Sequence, residues 1–435
     1  MSNKNSVSKN SVSKNSINSK SVLQSSNSIP DASQSSSNIK TNSKSINSIP
    51  SDKIIAPTLN NKSTKSTSIS NIAPVSNNAS TFQTAKEEAG VYEVVSTNYI
   101  LLIGIASALI IILIIYLFSS SFRVGRTISN MAIYQGYQQI STVSIDTSPV
   151  YNLGQYHVAS AYNAAHSGYQ MYDYTSERVV LSIIQSGVRY LEFNVFNSEF
   201  GDKAYPVVSM GYMVGEWKMM VNDTPLETIF NIISKNAFDI AQGTTGVNNP
   251  NDPLIIGLKL NTNSNLNCLN LIAYLIVQHF GKRLLDSRYS FQQSDNIATI
   301  SMTELVGTDD KSKIARVIIF ASDGFQGSGL DEIVNYSWDN VNNNPRHKMQ
   351  RLQYSEIIDT SFNSNALIEF NKTGLTIIVN HSEGDFFNNN YDPLKAFDYG
   401  CQFVAMDYQS VDGYMDMYMK SFKYSAFVLK DSSLR

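Results

Sequence analysis

Residues 156–168 read YHVASAYNAAHSG. An alternating apolar run ends at Tyr162, and a turn of small residues opening on Asn163 follows. Barrel enzymes put their chemistry at such strand ends. Similar ends carry Glu192-Phe193-Asn194, Met210, Lys259, and Asp407 with Gln409. Proton transfer near neutral pH is best done by histidine. Holding a hard cation such as calcium takes six to eight oxygen ligands, several of them charged. The chain has five histidines. His157 lies mid-strand and reads as packed, while His279 and His347 read as structural or exposed. His166 lies four residues past Tyr162, in the loop beyond the strand end, and His381 follows the run TIIVN at a loop start. Only these two stand where acid–base work could be done.

The elements that would position these residues recur from about residue 150. Strand-like runs are QYHVASAY (155–162), VRYLEFNVF (188–196), YPVVSM (205–210), PLIIGLKL (253–260), ARVIIFA (315–321), GLTIIVN (374–380) and CQFVAMDY (401–408). Helix-like stretches fall at 173–186, 224–237, 265–281, 361–372, 392–399 and 411–421. Alternation of strand and helix over roughly 280 residues predicts an α/β fold with a parallel sheet, at a length that suits a (β/α)8 barrel.

The N-terminal part is different. Residues 1–90 are rich in Ser, Asn, Lys, Ile and Thr, with short repeats such as NSVSK and NSIP. Such a segment cannot bury enough apolar surface to offset chain entropy, so a disordered tail is expected there. Residues 99–118, YILLIGIASALIIILIIYLF, are twenty residues without a charge, about 30 Å as a helix, which matches a bilayer core. Tyr99, Tyr116 and Phe118 at the ends resemble interface anchors. A single-pass membrane protein is expected, held in lipid through 99–118. Arg123 and Arg126 follow the span closely, and this local bias puts the C-terminal domain on the cytoplasmic side.

Ten lysines and five acids precede Tyr99, yet the whole chain has a formal net charge of −3. The folded part is therefore acidic, which disfavours nucleic acid, and no nucleic-acid motif is present. Two cysteines, Cys268 and Cys401, imply no disulfide framework.

Several stretches resemble the catalytic barrel of the eukaryotic phosphoinositide-specific phospholipases C. Residues 390–435 are similar to the end of that family's Y region, through Asn-Tyr-x-Pro and then Gly-Cys-Gln-x-Val-Ala-x-x-x-Gln. YHVASAYNAAH resembles the family's first strand, which ends Ser-Ser-His-Asn-Thr. GVRYLEFNVFN (187–197) resembles Gly-Cys-Arg-x-Val-Glu-Leu-Asp-x-Trp, PVVSMGYM (206–213) resembles Pro-Val-Ile-x-His-Gly-x-Thr, and DPLIIGLKLN (252–261) resembles Tyr-Pro-Val-Ile-Leu-Ser-Leu-Glu-Asn. The resemblance implies a TIM-type barrel with an X-like half at 150–322, a linker at 323–350 and a Y-like half at 351–435.

The family cleaves a phosphodiester with two histidines and a calcium ion held by carboxylates. On this resemblance the histidine positions fall on Tyr162 and Met210, neither of which exchanges protons usefully near pH 7. The calcium ligands become Asn163, Glu192, Asn194 and Lys259. Two carboxylates are gone and a cation has arrived, so no metal cofactor is expected. Lys259 would point into the mouth toward Glu192, either as a drifted residue or as an internal replacement for calcium. The family's phosphate-reading cations have no counterpart in IIFASDG (318–324) or TIIVNHS (376–382). The expected function is that of a pseudoenzyme that binds or scaffolds at a membrane, with a phospholipid or a protein at the barrel mouth. A divergent active phosphodiesterase using His166 or His381, and a structural membrane protein, are the alternatives.

Overall fold

The computed structural model describes residues 78–435, apart from 138, 146–148, 169–172, 200–202, 215, 294, 339–347 and 381–388. Eight parallel strands stand side by side in the order β7 (Tyr336–Ser337), β6 (Val317–Ala321), β5 (Leu254–Asn261), β2 (Tyr190–Asn197), β1 (Tyr156–Ala161), β10 (Phe403–Met406), β9 (Leu375–Val379) and β8 (Met349–Gln353). Among the described residues β7 and β8 do not pair, so the barrel is nearly closed. An antiparallel hairpin, β3 (Pro206–Val214) and β4 (Glu216–Pro225), extends from β2, and β11 (Phe427–Leu429) lies antiparallel to β1.

The long helix α1 (Asn78–Tyr137) precedes the barrel. Around the strands run α2 (Glu177–Gln185), α3 (Leu226–Asn236), α4 (Leu266–Phe280), α5 (Met302–Leu305), α6 (Tyr354–Ile357), α7 (Ser364–Asn371), α8 (Pro393–Asp398) and α9 (Gly413–Ser421). Their starts are written in the sequence. The side chains of Ser176, Asn265, Asn363, Asp392 and Asp412 each accept a hydrogen bond from a first-turn N–H, and Pro393 follows its cap. Helix α2 buries Val179, Val180, Ile183 and Ile184, one face of a 3.6-residue period, against the strands.

The barrel floor is aromatic. Tyr190, Phe320, Tyr336 and Phe403 are fully buried, with ring centroids 5.1 Å apart for Tyr190–Phe403, 5.6 Å for Phe320–Phe403 and 6.2 Å for Phe320–Tyr336. These rings close the interior beneath the strand ends.

Helix α1 contains a 20-residue stretch, Thr97–Tyr116, long and apolar enough to cross a membrane and not buried by the protein. Past it the helix changes character. Val124, Thr127, Met131 and Tyr134 are buried, a stripe at helical spacing that packs on the barrel.

Three expectations need correction. YPVVSM is not a barrel strand; it belongs to the antiparallel hairpin. Two barrel strands, β7 and β8, lie in or overlap the stretch expected as a linker, 323–350. They escaped notice because β7 is two residues long and β8 reads MQRLQ, with only Met349 fully buried. Helix α1 starts at Asn78, inside the stretch expected as tail, while residues 1–77 lie outside the described residues.

Candidate functional site

Strand β1 delivers Tyr162 to the barrel mouth, buried, with its N–H donating to the Met406 carbonyl at 3.0 Å. Asn163 then turns the chain with φ +46°, a left-handed conformation that asparagine tolerates better than most residues. Its side-chain oxygen accepts from Asn194 Nδ2 at 2.7 Å, and Asn194 Oδ1 accepts from Asn261 Nδ2 at 3.5 Å. Three amides thus bridge the ends of β1, β2 and β5.

Glu192 stands one pleat deeper than Asn194, 1% exposed. Tyr190 Oη donates to its Oε2 at 2.8 Å. Arg351 Nη2 donates to its Oε1 at 2.8 Å, and Arg351 Nε reaches Oε2 at 3.5 Å. The guanidinium carbon lies 5.9 Å from the ring centroids of both Tyr162 and Trp338, within cation–π range. Burial pulls the Arg351 pKa down, but Glu192 and the neighbouring tyrosines outweigh it and hold the guanidinium above its ordinary value. Burial, then the charge and hydrogen bond of Glu192, push the Tyr190 phenol well above its ordinary value. Gly257 is needed for this packing, because a Cβ there would lie 2.5 Å from Tyr190 Oη.

The expectation that Lys259 sits beside Glu192 is therefore corrected. In the β2–β5 register Gly257 stands opposite Glu192, and Lys259 stands opposite Asn194, partly buried. The cation that Glu192 holds is Arg351, from β8. The segments 318–324 and 376–382 hold no cation in the sequence, and the arginine of the mouth comes from β8 instead. Its signal was faint, a single arginine in the pentapeptide MQRLQ.

Met210 lies inside β3, at a bulge between Ser209 and Gly211, and is buried. With Asn163, Asn194 and His166 it borders a cavity of about 10 Å³, no more than one water can occupy. His166 is 1% exposed, so the loop folds back over the strand end rather than beyond it. His157 is far from this cluster, where its Nδ1 lies 2.7 Å from the Cys401 carbonyl and burial pulls its pKa down to about 4. His279 is on α4, partly exposed, 3.4 Å from Ser234 Oγ. His347 and His381 lie outside the described residues.

Asp407 follows β10, 1% exposed, and its Oδ1 accepts from Gln409 Nε2 at 3.0 Å. Burial pushes its carboxyl up to about 7, against hydrogen bonds from Asn380 and Gln409 and with help from the Asp412 charge. Among the described residues no three His, Cys, Asp or Glu side chains gather as a metal site.

The X domain of phosphatidylinositol-specific phospholipase C matches residues 151–307, and its Y domain matches residues 330–433, together more than half of the chain. Among solved structures, PLC21 of L. pealei aligns at 17% identity with a TM-score of 0.52, over 67% of this chain and 39% of that one. PLC21 of S. officinalis aligns at 16% identity with a TM-score of 0.52, over 67% of this chain and 38% of that one. At these identities the likeness is one of fold, and this chain spans about two fifths of the length of either protein. No curated protein sequence matches the chain significantly.

Proposed function

Because the chain belongs to the phosphatidylinositol-specific phospholipase C family, through both halves of its barrel, we propose that it is a membrane-anchored member that does not cleave phosphodiesters and acts as a binding or scaffold protein at a membrane. The observation that carries this reading is the ion pair between Arg351 and Glu192 in the barrel mouth. It spends the carboxylate that the resemblance assigns to calcium on an internal cation. The donor set does not fit calcium. Of the four calcium positions that the resemblance assigns, Asn163, Glu192, Asn194 and Lys259, only Glu192 is a carboxylate; both its oxygens already accept hydrogen bonds, and the Asn163 oxygen accepts from Asn194. The acid–base positions of the resemblance hold Tyr162 and Met210. Anchoring is supported by the uncovered apolar stretch Thr97–Tyr116, and a cytoplasmic barrel by Arg123 and Arg126 close after it.

The test is an assay of the purified full chain on phosphatidylinositol and its phosphates, in mixed micelles with millimolar calcium. General acid–base groups contribute ~10²–10⁴-fold each, so with both missing the release of inositol phosphate should lie several decades below an ordinary enzyme rate. An ordinary rate, abolished by His166→Gln, would establish the divergent enzyme instead. The anchor is tested separately: carbonate-washed membranes should retain the full chain, and its release into the supernatant would refute the span.

A further inference from the structure

Between the barrel mouth and the helix that leaves it lies a cavity of about 450 Å³ that no part of the reading above uses. One wall is α1, through Arg123, Arg126 and Thr127. The other is the loop after β10, through Gln409, Ser410 and Asp412, with Ser167 from the loop after β1. The helix is fixed to the barrel here. Arg123 pairs with Asp173 at 2.9 Å, Thr127 donates to the Ser167 carbonyl, and the Tyr174 hydroxyl donates to the Tyr116 carbonyl at 2.9 Å. The cavity is therefore a built feature of the docked helix rather than a gap beside a mobile one.

Asp173 lines the same wall and already pairs with Arg123, so Arg126 is the cation left to a ligand. Arg126 is exposed and makes no ion pair among the described residues. Gln409, 7% exposed, lines the cavity, and its Oε1 has no hydrogen-bond partner among the described residues. Beside it stands the Asp412 carboxylate. A ligand that fits must bring negative charge to Arg126 and an N–H or O–H donor to Gln409 and Asp412. The cavity's height selects the source. Arg123 and Arg126 lie seven and ten residues past Tyr116, which at 1.5 Å per residue is about 10–15 Å along the helix axis. Helical side chains lean toward the N-terminus, here toward the apolar stretch, and long arginines reach further that way. That brings the guanidinium groups back toward the headgroup layer, which is about 5–8 Å thick on each side of the bilayer.

We propose that this cavity binds the headgroup of an anionic phospholipid that carries a hydrogen-bond donor, with its phosphate on Arg126 and its amine or hydroxyl on Gln409 and Asp412. The site is separate from the barrel mouth and rests on the reading of Thr97–Tyr116 as a membrane span. Carbonate extraction tests that span. Lipid binding is measured in detergent, so the two ideas fail independently.

The experiment titrates the detergent-solubilised full chain with dioctanoyl phosphatidylserine, dioctanoyl phosphatidylcholine and soluble glycerophosphoserine. Phosphatidylserine should bind at least about fivefold tighter than phosphatidylcholine, which has no donor, and glycerophosphoserine more weakly than the lipid. Arg126→Ala, an exposed change, should weaken phosphatidylserine binding about fivefold or more while leaving the melting temperature without lipid unchanged. Gln409→Leu should reduce the preference over phosphatidylcholine. Equal binding of the two lipids, binding indifferent to Arg126→Ala, or glycerophosphoserine binding as tightly as the lipid would each overturn the proposal.

Discussion

Replacing Arg351 with Met is the most direct probe of the barrel mouth. Methionine keeps most of the side-chain length and removes the charge. Glu192 would then remain 1% exposed with, among the described residues, only the Tyr190 hydroxyl to solvate it, and Arg351 itself is 12% exposed in the parent. Removing one partner of a buried pair costs about 3–5 kcal/mol, because the other charge is stranded. Domains are stable by only about 5–15 kcal/mol, so the loss is a large share of the total. In a thermal melt of the full chain in detergent, followed by near-ultraviolet circular dichroism, the midpoint should fall by roughly 10 °C. The double variant Arg351→Met with Glu192→Gln should recover much of that loss, since no charge is then buried. The coupling between the two changes separates pairing from packing, because lost packing around residue 351 is common to both arms. An Arg351→Met protein as stable as the parent, or a double variant no better than the single one, would refute the internal-cation account of this site.

Two further outcomes follow from the same geometry. Millimolar calcium should leave the melting temperature of the parent unchanged, where a ligand at a hundred times its dissociation constant adds about 2.7 kcal/mol; a calcium-dependent rise of several degrees would show that the donor set does accept the ion. Asp407 is held up to about 7 by burial, while an unfolded aspartate titrates near ~3.9. The folded state thus keeps a proton that the unfolded state has released, and stability contributed there is lost as pH rises from about 4 to about 7. Asp407→Asn should shrink the drop in melting temperature between about pH 5 and about pH 8, and an unchanged drop would assign it to other groups.

The sequence by itself determined the broad architecture, because that rests on local signals. Alternating apolar runs located six of the eight barrel strands, and helix-like stretches were placed at 265–281, 392–399 and 411–421, where the structure has helices capped by Asn265, Asp392 and Asp412. The apolar stretch after Asn98 was legible for the same reason, since a run of uncharged residues is visible without any partner. The amides Asn163 and Asn194 and the carboxylate Glu192 were found through family likeness at the strand ends. Their arrangement was not. Which cation meets Glu192 depends on register between β2 and β5 and on the approach of β8, which is 159 residues away in the chain. Lys259 was the nearer candidate in the pattern, but a parallel register set it opposite Asn194 and left Gly257 beside Glu192. Arg351 sits in a strand with little apolar character, so periodicity gave no reason to place it inside. The docking of α1 was likewise a tertiary matter. The stripe Val124, Thr127, Met131 and Tyr134 has helical spacing, but only the packed barrel shows what covers it. Periodicity reports which face of an element is buried; it carries no information about which distant side chain that face will meet, and here that meeting decides the chemistry of the mouth.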